Sequence, residues 1–238
     1  MWVITASIYD VTMTLTARAP QFKRPLRIGD SVYDHLRQSI LRGDYKAGAW
    51  LRERELSEEL AVSRTPIREA LKQLLQEGLL ESSSRGLKVR SYSLAEAIDI
   101  YEVRELLEAK AAYLAAERLK SQDRPRVEAM LEAMDTLKLD DSALYIQQDL
   151  DFHQFIAALS GNKALDDMIS GLTGRLISLR VLTRDAIRSQ VSHEQHRQIA
   201  TAILAGEAAI AREHMLKHIR YFKNLLVNHL SQQQTQVE

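Results

Sequence analysis

The sequence predicts a mainly α protein: an N-terminal winged helix-turn-helix plus a C-terminal antiparallel all-α bundle of about six helices. Three observations carry this prediction. Residues 53–89 (ERELSEELAVSRTPIREALKQLLQEGLLESSSRGLKV) read in order as helix, tight turn, helix and small β-hairpin. From Ser93 onward, apolar positions recur at i, i+3 and i+4, with no strand pattern and no internal repeat. The charge also divides near that boundary. Residues 1–92 hold 15 Lys and Arg against 11 Asp and Glu, and residues 93–238 hold 17 against 21, so a net charge of zero conceals a basic first part and an acidic second part.

Composition narrows the classes further. A chain of 238 residues, 45% of them hydrophobic, is long enough for two modest domains with packed cores. With no cysteine, a disulfide framework and a thiolate metal site are excluded, which fits a reducing interior. No apolar run is long enough to span a bilayer. Residues 1–28 lack a basic n-region and Asp10 interrupts their apolar stretch, so they read as a poorly ordered arm and not as a signal peptide. Met13 is an alternative start to Met1. The expected organisation is this arm, a winged helix-turn-helix domain over 29–92, a helical domain over 93–231 and a tail over 232–238.

The elements follow from local signals. Ser31–Arg42 is the first helix: Val32, Leu36 and Ile40, with Tyr33 and Leu41 beside them, form an apolar stripe, and Gly43 ends it. Lys46-Ala47-Gly48 is a turn, and a second helix over 53–61 turns Leu56 and Leu60 inward. Thr65 is the expected N-cap of the third helix, with Pro66 at its first position and Ser63 as a competing cap. Ile67, Ala70, Leu71, Leu74 and Leu75 form its inner face, and Gly78 terminates it. Leu79–Ser82 and Leu87–Arg90 read as strands around Ser83–Gly86. In the second part the expected helices are 94–119, 123–137, 142–160, 163–187, 191–205 and 207–229. Ile98, Tyr101, Leu106, Ala109 and Tyr113 are apolar positions along the first of these.

Two sets of residues carry chemistry. Arg64, Thr65, Arg68 and Lys72 lie at the start and on the outer face of the third helix. A helix N-terminus favours phosphate oxygens, and arginines there add bidentate contacts to phosphate or guanine. Arg85 and Lys88 on the hairpin are placed to reach phosphates or the minor groove, and Gly86 permits close backbone approach. Any one of these cations is equally an ordinary solvated charge. Helix order, proline, basic outer face and basic hairpin agree, however, on a module that sets its third helix into the major groove.

The second set is the histidines, five of the seven falling between residues 153 and 218. Asp149 and His153 are four apart and share one helix face, His196 sits early on a later helix, and His218 lies on the last. An aspartate and three imidazoles converging in a bundle would bind a divalent metal such as zinc, nickel, iron or manganese. Spacing alone does not choose these four, because His193, His214 and Asp151 lie close in sequence. Arg104 and Glu108, four apart, read on spacing alone as an i,i+4 ion pair on a helix surface.

LREREL, AVSRTPIREAL, LLQEGLL and SRGLKV resemble the signature of the GntR family of bacterial transcription regulators. That resemblance implies DNA-contacting roles for Arg54, Ser63, Arg64, Thr65, Arg68 and Gly86, and for Arg85 a minor-groove position. DLDFHQFIAALSGN, EQHRQIATAIL and AREHMLKHI are similar to successive motifs of the FCD (FadR C-terminal) domain, in the shorter form of the VanR-like branch. This second resemblance implies that Asp149, His153, His196 and His218 hold the metal, with zinc foremost and nickel, manganese or iron as alternatives. It also implies that Arg104, in YEVRELLEAKAAYLAA, faces the effector cavity, where its guanidinium near the metal would clamp an organic acid bidentately. The expectation is a cytoplasmic, nucleoid-associated regulator, a repressor acting as a homodimer on a pseudo-palindromic DNA operator. Its helical domain takes a small organic acid effector, and it needs no membrane. The alternative is a metal-dependent enzyme fused to a DNA-binding module; the motifs offer no general base with its own orienting partner. A third version keeps the regulator and makes the metal structural.

Overall fold

A computed structural model of the chain describes residues 28–135, 142–183 and 190–235. Of the expected arm (1–28) and tail (232–238), residues 28 and 232–235 are helical instead; the rest of both, and the ends of two expected helices (136–137 and 184–187), lie outside the described residues.

The first part consists of α1 (Ile28–Arg42), β1 (Trp50–Leu51), α2 (Glu53–Glu59), α3 (Arg64–Gln76), β2 (Leu80–Ser83) and β3 (Gly86–Val89). The helices bury Leu36, Ile40, Leu56, Ile67, Leu71 and Leu74 against each other, the residues whose 3–4 spacing marked the inner faces. The cap differs from expectation. Ser63, and not Thr65, precedes the first helical residue of α3, so Pro66 stands third in the helix. Its missing N–H remains harmless there, because the first four N–H groups of a helix have no intrahelical acceptor. The end of α3 is closed as Gly78 foretells: at φ 78°, its N–H donates to Leu75 O at 3.1 Å and that of Leu79 to Leu74 O at 3.0 Å. This pair of bonds satisfies the last carbonyls, and the backbone angle favours glycine.

The hairpin carries a third strand that sequence reasoning missed, since β1 has only two residues and no alternation to read. The sheet is antiparallel in the order β1-β3-β2. Trp50 pairs with Lys88, Leu80 with Val89 and Ser83 with Gly86, which leaves Ser84 and Arg85 as the exposed turn.

The second part is all helical among the described residues: α4 (Leu94–Arg118), a 3-10 turn over Ser121–Asp123, α5 (Arg124–Asp135), α6 (Ser142–Leu159), α7 (Lys163–Leu182), α8 (Gln190–Ala205) and α9 (Ala208–Thr235). Ser93 starts α4 with a reciprocal cap. Its hydroxyl accepts from the Glu96 N–H at 3.2 Å, and the Glu96 carboxylate accepts from the Ser93 N–H at 2.9 Å. Asn162 caps α7 by accepting from the Leu165 N–H at 3.2 Å.

α4 is the central strut. Its buried alanines, Ala97, Ala109, Ala111, Ala112, Ala115 and Ala116, let α6, α7, α8 and α9 all pack on it. Here the apolar pattern misleads: Leu106 is 75% exposed, whereas Arg104 and Glu108 are 1% exposed. The two charges are buried because they pair with each other.

The two parts share a continuous core, with α1 lying on α6 and α7. Arg37 on α1 donates to Gln147 Oε1 on α6 at 2.7 Å. The end of α3 meets α7 at Gly174, where a Cβ would fall 1.3 Å from the Glu77 carbonyl oxygen. Only a residue without a side chain allows that approach.

Candidate metal centre and nucleic-acid interface

Three helices bring the expected metal ligands together. Asp149 and His153, one turn apart on α6, face His196 on α8 and His218 on α9. One ligand atom from each lies within 4.8 Å of the others, and all four residues are buried. His153 Nε2 is 3.2 Å from His218 Nε2, His196 Nε2 is 3.3 Å from His218 Nε2, and Asp149 Oδ1 is 3.3 Å from His196 Nε2 and 3.7 Å from His153 Nε2. Three imidazole nitrogens at such distances cannot all be satisfied by hydrogen bonds to one another. The spacing matches ligands around one ion, where metal–nitrogen bonds of about 2.0–2.1 Å put neighbouring donors roughly 3.3 Å apart. His193 and His214 stand apart from this cluster: His193 stacks on Tyr145 with ring centroids 5.2 Å apart.

The electrostatics suit a cation. Burial pushes His196 down to about 4, against the pull of Asp149. Burial, with the neighbouring imidazoles, pushes His218 well below its usual value. Both are therefore neutral near pH 7, the form that ligates metal. Burial is the largest single influence on Asp149 and works against its charge, but Arg180, His153 and His196 together outweigh it and hold the carboxyl well below the usual range. Glu108 behaves alike: burial raises it, Arg104 and His153 outweigh burial, and it settles at about 2.

Behind the ligand atoms stands a layer that sequence reasoning largely missed. Glu108 pairs with His153 Nδ1, and Gln195 Oε1 accepts from His218 Nδ1 at 3.0 Å, so in both rings Nε2 is left facing the cluster. Arg180 on α7 pairs through Nε with Asp149 Oδ2. Arg104 does form the i,i+4 pair with Glu108, Nε to Oε1 at 2.6 Å, but in the interior and not on a helix surface. Its Nη2 lies 3.0 Å from His153 Nε2, beside the candidate ligand atoms. Arg180 had no sequence signal, since LISLRVL reads as ordinary helix.

The candidate DNA-reading residues are all exposed. Arg54 lies on α2, Ser63 just before α3, Arg64, Thr65 and Arg68 in its first half, and Arg85 and Gly86 at the hairpin turn. Arg68 is held side-on by Glu53, Nε to Oε1 at 3.0 Å and Nη2 to Oε2 at 2.8 Å, and this hydrogen bonding lowers the Glu53 pKa. The pair ties the start of α2 to α3, a role for Glu53 that no local pattern in the sequence marks. Lys88 is engaged across the hairpin by Glu81 at 2.9 Å.

Comparison with known proteins agrees with both parts. Residues 28–86 match the bacterial regulatory proteins of the gntR family, and residues 99–221 match the FCD domain. The chain is 32% identical over 224 residues to the putative L-lactate dehydrogenase operon regulatory protein of Escherichia coli (strain K12), covering 83% of this chain and 85% of the relative. It is 30% identical over 198 residues to the transcriptional repressor GlaR of the same organism, covering 79% and 90%. A solved putative GntR transcriptional regulator from Rhodococcus sp. RHA1 has the same fold, with TM-score 0.68 at 23% identity over 84% of this chain and 97% of that one. The families matched are transcription regulators and not enzymes.

Proposed function

The chain belongs to the GntR family of bacterial transcription regulators, in the VanR-like branch with an FCD domain, and from that premise we propose that it is a metal-dependent, metabolite-responsive repressor. Asp149, His153, His196 and His218 hold a divalent ion, with zinc the first choice for three imidazoles and one carboxylate and nickel, manganese or iron as alternatives. The ion supplies a Lewis-acidic position for an oxygen of a small carboxylate effector. Arg104, beside the metal-facing nitrogens, lends that carboxylate a charge-assisted hydrogen bond. Two copies of the chain set Arg54, Ser63, Arg64, Thr65, Arg68, Arg85 and Gly86 on the halves of a pseudo-palindromic operator. The protein works in the bacterial cytoplasm on nucleoid DNA; among the described residues no helix is long and apolar enough to cross a membrane.

The observation that carries this reading is the convergence of the ligand atoms within 4.8 Å in a buried setting. Repression is supported by the likeness to GlaR, which is named a repressor. Elemental analysis of the purified protein, beside His153→Ala and His196→Ala, tests the metal. About one ion per chain is expected in the wild type and none in either variant. A folded wild type that takes up none of zinc, nickel, manganese or iron on reconstitution would end the metal reading.

A further inference from the structure

The interior around the candidate ligand atoms holds four formal charges: Arg104 and Arg180, Glu108 and Asp149, exposed by 1%, 2%, 1% and 3%. As two guanidinium and two carboxylate groups, these formal charges cancel. A divalent ion on the three nitrogens and Asp149 would then leave two positive charges uncompensated where water has little access. Uncompensated charge in such a place is costly and recruits a counter-charge.

The two arginines are not equivalent. Arg104 spends Nε on Glu108 at 2.6 Å and brings Nη2 to 3.0 Å from His153 Nε2. Arg180 spends only Nε, on Asp149. Its Nη1 and Nη2 are both buried and have no hydrogen-bond partner among the described residues. Together they form the end-on edge of the guanidinium, which fits the two oxygens of a carboxylate. The Tyr101 hydroxyl, one turn before Arg104 on α4, is likewise buried without a hydrogen-bond partner among the described residues, with the Arg104 guanidinium 5.4 Å from its ring centroid.

We propose that the effector is a dianion with two carboxylates, the first on the metal beside Arg104 and the second on the end-on edge of Arg180, with Tyr101 as a further donor. This rests on the metal and effector reading above and adds the charge of the ligand and its second anchor. A monocarboxylate would leave one positive charge uncompensated and the Arg180 edge unpaired.

The test uses full-length protein loaded with zinc and checked for metal content. It is titrated by calorimetry with malonate, succinate and glutarate, and with acetate, propionate and lactate, at one pH and ionic strength. At least one dicarboxylate is expected to bind on the order of tenfold tighter than every monocarboxylate, the size of one charge-assisted hydrogen-bonded contact. Arg180→Gln should lose most of that preference and keep its zinc. Monocarboxylates binding as tightly as dicarboxylates, or none of the six acids binding to metal-loaded protein, would overturn the proposal. So would a zinc-loaded Arg180→Gln that keeps the preference. Should Arg180→Gln lose its zinc through Asp149, the wild-type series decides by itself. Protein that takes up no metal would instead remove the underlying reading, a separate outcome visible in the metal content before any acid is added.

Discussion

At the scale of the residue, an imidazole serves a metal through one nitrogen only if something fixes the other. His218 has Gln195 behind Nδ1 at 3.0 Å, and His153 has Glu108. Glu108 cannot be removed cleanly, since that would strand the buried Arg104. Gln195 is neutral and half-buried, so Gln195→Ala is the cleaner probe. It is expected to weaken metal binding roughly 10–100-fold while leaving the fold intact, measured by competition with a chromophoric chelator. Unchanged affinity would mean that His218 is oriented by packing alone, for instance against Phe222 at 5.0 Å between ring centroids. On the DNA side, Glu53 takes the side-on edge of Arg68 and leaves its other edge to meet guanine or phosphate. Arg68→Ala should weaken operator binding about tenfold or more if it reads a base. Equal losses on operator and unrelated DNA, with a shallower salt dependence, would assign it to phosphate.

At the scale of the element, glycine decides how the two parts meet. Gly78 closes α3, and Gly174 lets α7 approach within a space that no Cβ fits. The clashing atom in Gly174→Ala is a backbone carbonyl oxygen, which cannot rotate aside as a long side chain would. The substitution should therefore cost about 1–3 kcal/mol, typical of overpacking, in denaturant unfolding, and should separate α3 from α7. A variant as stable as wild type would mean that the helices shift apart at little cost. The same elements mark what a sequence can reveal. Pro66, Gly78 and the SSRG turn act within a few residues of themselves, so α3 and the hairpin were legible to within two residues, whereas α1 begins three residues before Ser31 and the two-residue β1 left no signal. Asp149 and His153 were legible as a pair because helical geometry places i and i+4 together. The choice of His196 and His218 over His193 and His214 needed family resemblance, since it depends on how α8 and α9 rotate against α6. Arg180, Gln195 and the role of Glu53 depend on partners 15 to 31 residues away, and nothing local announces them. Leu106 was misassigned because α4 fills its interior with alanines and a buried ion pair, so its apolar stripe is not its buried face.

At the scale of the whole molecule, the two helices that hold Asp149 also hold the DNA-reading part. α6 carries Asp149 and, two residues earlier, Gln147, which accepts from Arg37 on α1 at 2.7 Å. α7 carries Arg180, paired with Asp149, and Gly174, set against the end of α3. Arg37 also lies 3.7 Å from Glu77 at that end. On the proposed reading, metal or effector that shifts the Asp149–Arg180 pair would act on both of these attachments. A ligand shifts such an equilibrium only by its differential affinity for the two arrangements, and the coupling is reciprocal: if metal alters DNA affinity, DNA alters metal affinity by the same factor. The expected coupling is about 1–3 kcal/mol, read as a change of roughly 5–150-fold in affinity for a DNA fragment selected on the protein itself, metal-loaded against chelated. Arg37→Ala should leave metal content at about one per chain and shrink that ratio toward unity, because it frees α1 and the end of α3 from α6. An Arg37→Ala protein with the wild-type ratio would move the coupling to the Gly174 contact, where Gly174→Ala should then abolish it.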